Sequence, residues 1–166
     1  MKKLLGVIVA ITVVVILSGA LIAAVYAAEK ESANGNRFIA YDNGTVLDRQ
    51  TGLMWAAKDN GSDIDWSNAK RYCENYRGGD YTDWRLPTQD ELVGLYESNK
   101  SRPGACAKRY NIHVATELID ITCFALWASE TSGSLSAYFL LGDGLRYWDQ
   151  KLLYKGYRAL PVRSSK

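Results

Sequence analysis

The chain has 166 residues, room for one domain and a short appendage, with Lys and Arg (20) barely exceeding Asp and Glu (18). Lys2 and Lys3 carry the whole excess, because every acid lies beyond residue 28. The remainder is neutral, which argues against nucleic acid as a partner, since phosphate affinity needs clustered positive charge. Multi-domain machines and long repeat arrays are excluded by length.

Of the 25 residues from Leu4 to Ala28, 21 are apolar and none is charged. Such a run behind Lys2-Lys3 predicts an N-terminal hydrophobic helix that enters a membrane, with its start kept in the cytoplasm and everything after it sent across. Two readings of residues 1–28 stand. Val25-Tyr26-Ala27 offers a cleavage site before Ala28, as in a signal peptide, whereas the length of the apolar core suits a retained anchor spanning residues 4–28. No Cys follows the run, so a lipoprotein anchor is excluded. Residues 29–36 (EKESANGN) read as a polar linker. The globular part is then 37–163, with 164–166 as a tail. The expected location is periplasmic or cell-surface, beyond the cytoplasmic membrane, and membrane-anchored if the helix is kept.

Phe38 to Tyr41 is a short β-prone run closed by Asp42-Asn43-Gly44, whose Asn-Gly pair supplies the positive φ angles of a tight hairpin turn. Thr45 to Arg49 answers it, and Gln50-Thr51-Gly52 turns into Leu53 to Ala56, giving a small meander. From Trp66 the period becomes helical: Trp66, Ala69, Tyr72, Cys73 and Tyr76 share one face, and Asp65 is placed to cap. Arg77-Gly78-Gly79 ends that helix. Thr88 and Glu91 have capping-box spacing after Pro87, predicting a second helix that buries Leu92, Leu95 and Tyr96. Residues 97–123 have no clean period. Phe124 to Ser129 reads as a strand, and Ala137 to Leu141 with Leu145 to Asp149 as a hairpin about Gly142-Asp143-Gly144. Tyr157 to Arg163 reads as a closing strand whose Pro161 belongs at an edge or bulge. Strands, two helices, an irregular excursion and strands again make an α+β domain.

Export permits disulfides. Cys106 and Cys123 bracket the excursion, and closing that loop would contribute about 3 kcal/mol; pairing of Cys73 with either is also compatible with the sequence. Cys73, on the apolar helix face, reads as a buried small side chain. His113 is the only histidine and sits in no nucleophile-elbow or zincin pattern. No Gly-rich phosphate loop and no Cys/His metal spacing appears, so neither cofactor nor metal is expected.

Several segments together resemble the Lcl C-terminal domain family. They are Asp42-Asn43-Gly44-Thr45-Val46-Leu47-Asp48 and Thr51-Gly52-Leu53-Met54-Trp55, then Trp66, Ala69 and Tyr72-Cys73. Asp83-Trp84-Arg85-Leu86-Pro87-Thr88 with Glu91-Leu92, Trp127-Ala128-Ser129-Glu130 and Val162-Arg163 complete the match. The resemblance covers nearly all of 37–163 and implies a C-type lectin-like fold: two helices, a small mixed sheet joined by its terminal strands, and a long irregular loop region that carries binding. Family members often carry a closing-strand Cys that pairs with the helix Cys. Pro161 stands there instead, which favours Cys106–Cys123. The calcium and sugar motifs of true C-type lectins are missing, with Trp148-Asp149-Gln150 only a weak echo, so calcium-dependent sugar binding is not implied.

Strand parity indicates where binding would occur. Phe139 and Trp148 are expected to fill the core, leaving Tyr138, Leu140, Leu145, Tyr147 and Asp149 outward, with Asp143 in the turn and Tyr154 and Tyr157 just beyond. Such a mixed aromatic face suits an interaction surface; the bland counterpart is a hairpin covered on both faces by the excursion. The same stretch resembles the variable segment of lectin-fold proteins diversified by retroelements. The expected function is therefore a non-catalytic binding module for a protein or glycan ligand, not an enzyme. The alternatives are an enzyme on a formylglycine-generating type of fold, opposed by the lack of any Cys after Cys123, and a structural envelope component.

Overall fold

In the computed structural model, residues 37–106 and 110–165 are described. The predicted signal or anchor helix and the 29–36 linker lie outside the described residues. Among the described residues no helix is long and apolar enough to cross a membrane.

Strands β1 (Phe38–Tyr41), β2 (Thr45–Asp48) and β3 (Leu53–Ala56) form the expected antiparallel meander. The first connection has three residues: Tyr41 pairs with Thr45, and of Asn43 and Gly44 only Gly44 has positive φ (78°). A turn closed by one left-handed glycine needs no second such residue, and Asn43 serves instead by accepting from the Thr45 hydroxyl at 2.7 Å.

Helix α1 (Trp66–Asn75) begins where Asp65 accepts from the Asn68 amide at 3.0 Å, and it buries Ala69 and Cys73. Helix α2 (Gln89–Val93) carries the complete Thr88/Glu91 capping box. It is shorter than the apolar pattern predicts and stops before Leu95 and Tyr96. The backbone there has another partner: Ala115 N–H donates to Leu95 O, and Tyr96 bridges to Val114. Leu92 and Leu95 are nonetheless fully buried, so tertiary pairing overrode the helix without moving its apolar face.

The excursion contains only the two-residue strands β4 (Arg102–Pro103) and β5 (Asn111–Ile112). It is followed by β6 (Ala125–Ser132), β7 (Leu135–Leu140) and β8 (Leu145–Gln150). The predicted closing strand is two strands, β9 (Tyr157–Arg158) parallel to β6 and β10 (Val162–Ser164) antiparallel to β3. Between them Asn60 engages both the N–H and C=O of Ala159, and Pro161, which has no N–H to donate, offers its carbonyl to Ala56 N–H at 3.0 Å.

Two four-stranded sheets result, β1-β2-β3-β10 and the mixed β8-β7-β6-β9. The main core lies against one face of the second sheet, with Leu126, Ala137 and Phe139 meeting Val46, Trp55, Leu92 and Leu160. The opposite face packs Ala125, Trp127 and Tyr157 against Ala69 and Cys73 of α1. The fold is thus α+β, with its first and last strands in one sheet. Among the described residues both buried clusters and all the strand pairings lie from Phe38 onward, so this compact unit holds within itself what a folding unit needs.

Candidate functional site

The hairpin β7–β8 is in register with Tyr138 opposite Tyr147 and Leu140 opposite Leu145, so these four share one face of the sheet. The rings of Tyr138 and Tyr147 stack at 5.4 Å and 21°. Tyr138 also meets Tyr157 edge-on at 5.1 Å, and Tyr157 stacks on Trp127 at 4.2 Å. A continuous aromatic row therefore runs from the covered middle of the sheet to its open edge.

Two carboxylates hold the row's hydroxyls. Tyr147 Oη donates to Asp143 Oδ2 at 2.7 Å, and Tyr157 Oη to Asp149 Oδ2 at 2.8 Å. Each Asp spends its other oxygen on a backbone amide, Asp143 on Leu145 and Asp149 on Gln150. The hydrogen bond to Asp143, followed by partial desolvation, raises the Tyr147 hydroxyl above its ordinary range. Burial first, and then the bond to Asp149, does the same to Tyr157, and burial raises Tyr138. At neutral pH all three are protonated phenols, able to donate hydrogen bonds and to present flat apolar area.

The structure brings six of the predicted residues together: Tyr138, Leu140, Asp143, Leu145, Tyr147 and Asp149. Leu145 and Asp143 are exposed, and the other four are half-buried. Tyr157 belongs beneath them, only 8% exposed, supporting rather than presenting. Tyr154 is exposed and has no ring contact with this row among the described residues. Trp148 corrects the parity argument. It does share a face with Ala137 and Phe139, but it is 46% exposed and no part of the core. The core beneath that face ends at β7, and β8 is an edge strand whose Arg146 reaches Asp90 of α2 in the solvent.

Sequence reasoning missed the support from below. Gln89, buried at the start of α2, donates from Nε2 to both Tyr138 O (2.9 Å) and Tyr147 O (3.0 Å), pinning the backbone under the stacked pair. Its own N–H donates to Glu130 Oε1. Its partners lie 49 and 58 residues away, so no local signal marks it; the capping box alone says that a first-turn residue will be held in place. Glu91 completes that box and takes a bidentate contact from Arg85 at 2.6 and 2.8 Å. Burial would push the Glu91 carboxyl up, but the Arg85 guanidinium and the bonds from Thr88 outweigh it and hold the carboxyl below its ordinary range.

Against α1 and β6 lies a cleft of about 260 Å³ lined by Trp66, Lys70, Glu74, Arg85, Ser129 and Thr131 among others. The ammonium groups of Lys70 and Lys151 stand 6.0 and 5.3 Å from the Trp66 ring. Among the described residues no cluster of three or more His, Cys, Asp or Glu could hold a metal ion. Cys106 and Cys123 form a disulfide, which settles the pairing, and Cys73 is free and buried, its thiol pushed up by that burial.

No curated protein matches the chain. The sequence pattern of the Lcl C-terminal domain matches residues 44–163, the greater part of the length and all of the segments that build the hairpin and its support, and the chain belongs to that family.

Proposed function

We propose that this is an exported, non-catalytic binding module with a C-type lectin-like fold, recognising a protein or glycan ligand on the face of its C-terminal hairpin. The observation that carries this reading is the Tyr138–Tyr147 stack: two phenol rings at the open end of a buried aromatic row, with Leu140 and Leu145 beside them. Gln89 holds the backbone beneath and Asp143 holds a hydroxyl. Rigid, half-exposed tyrosines supply contact area at low entropic cost and a polar tip for specificity. The order of two helices, a mixed sheet and a second sheet that holds both the first and the last strand supports the lectin-like description.

The cysteine chemistry supports binding over catalysis. The one free thiol is buried, and its raised pKa keeps it protonated and unreactive. The test is a screen of residues 29–166 against glycans and cell-surface proteins, repeated with Tyr147→Ala. Loss of the captured ligand in the variant is expected, and capture unchanged by the substitution would overturn the hairpin-face assignment.

A further inference from the structure

Among the described residues, the most exposed large apolar side chain lies outside the tyrosine row, where β8 hands over to β9. The backbone turns there, with Leu153 N–H donating to Gln150 O at 3.0 Å. The turn carries Lys151-Leu152-Leu153-Tyr154-Lys155, in which Leu152 is 83% exposed, Leu153 43% and Tyr154 50%. None of the three packs into either buried cluster. Trp66 N–H donates to Lys151 O and Lys151 Nζ to Gly133 O at 2.8 Å, so the base of the loop is tied to the domain while its tip projects.

We propose that this loop docks the domain on a lipid bilayer, with Leu152, Leu153 and Tyr154 entering the interfacial layer and Lys155 meeting anionic headgroups. Three features select a bilayer. The first is shape: a protein partner of ordinary size covers roughly 800 Å² on each side, far more than one five-residue projection presents, whereas a bilayer surrounds a projecting tip and removes its apolar area from water. The second is charge. Exposed Lys155 follows the apolar tripeptide, in a domain whose charges balance overall; a lysine so placed keeps its head among headgroup phosphates while its stem lies along the apolar layer, and a tyrosine favours the same depth. The third is reach. The eight residues 29–36 that follow the apolar run extend less than about 30 Å, so a retained anchor keeps a bilayer within range of the domain.

The docking loop and the hairpin ligand face are separate surfaces, read by separate measurements. The folding unit, as residues 29–166, is sedimented with vesicles of phosphatidylglycerol and phosphatidylcholine and with vesicles of phosphatidylcholine alone. Binding to the anionic vesicles is expected. It should fall at least about ten-fold in the double variant Leu152→Ser with Leu153→Ser, and about five-fold in Lys155→Gln on anionic vesicles only. Both changes are at exposed positions, so the denaturation midpoint should not move, which separates lost docking from lost folding. Absence of vesicle binding would overturn the proposal, as would binding indifferent to the leucine pair. So would wild-type self-association that the leucine pair abolishes in the absence of lipid, which would assign the loop to a second copy of the chain.

Discussion

Two aromatic stacks share one face of the second sheet and have opposite fates. Trp127 on Tyr157, over β6 and β9, is roofed by α1: Trp127 is fully buried and its indole N–H donates to Ile64 O at 2.9 Å. Tyr138 on Tyr147, over β7 and β8, lies past the edge of that roof and stays half-exposed. The chemistry of the rings is similar, and the difference is cover. Alternation along a strand states which side a residue takes, while the extent of the element above decides whether that side is core or surface.

The largest test of this contrast is truncation at either end. Trp127→Ala removes a buried ring and its hydrogen bond, and should lower stability by about 3–5 kcal/mol in chemical denaturation. Tyr147→Ala, used above as a binding probe, should cost less than about 1 kcal/mol. Equal losses would mean that the open stack is as much a part of the core as the roofed one.

The disulfide comes next. Cys123 is buried immediately before β6, and Thr122 joins it to the Asp59 carboxylate through its amide (2.7 Å) and hydroxyl. Arg158 of β9 donates to the same hydroxyl and to Asp63. The staple thus steadies the roofed end from behind. Replacing both cysteines by serine should lower stability by about 3 kcal/mol for a sequence separation of 17, while ligand capture by the folded fraction remains. The measurement is a pair of denaturation curves combined with capture at a fixed temperature below the transition.

The same contrast explains what the residues alone disclosed. The meander, the capped helices and the hairpin were legible because their signals are local: Asp65 before a helical period, Thr88 three residues from Glu91, glycines about Asp143. Five of the eight proposed contact residues gather on one face because parity in a hairpin is local too, and Asp143 joins them from the turn through its bond to Tyr147. Trp148 and Tyr157 were misplaced for one reason, that neither the reach of α1 and α2 over the sheet nor the edge position of β8 is written near those residues. The break at Pro161 depends on Asn60, 99 residues from Ala159, and Gln89 of α2 depends on partners 49 and 58 residues away in the β7–β8 hairpin.

Support for the open stack includes a charged group, Glu91, and that gives the stack a pH dependence. The Glu91 carboxyl is held below its reference value of 4.5 in the fold. Its stabilisation is therefore complete above the unfolded value and is lost as pH falls through the lowered folded value. Glu91→Gln should cost about 1 kcal/mol at pH 7, a deficit that shrinks toward zero in acid as the wild-type carboxylate takes up its proton. Denaturation midpoints of the two proteins should draw together as pH falls below the unfolded value, and a constant gap would show that the side chain's shape rather than its charge is what steadies α2.

The smallest change is the most discriminating for function. Tyr147→Phe keeps the ring stacked on Tyr138 and removes only the hydroxyl that donates to Asp143. That bond is exposed, so stability should change by less than about 0.5 kcal/mol. If the face binds through flat apolar area, the phenylalanine variant should capture ligand as well as the wild type while Tyr147→Ala fails. If the phenol tip is read directly, affinity should fall about ten-fold, the effect of leaving a ligand's polar group without its partner. Affinities of the two variants measured by titration calorimetry against the captured ligand thus divide the contribution of the ring from that of its hydroxyl.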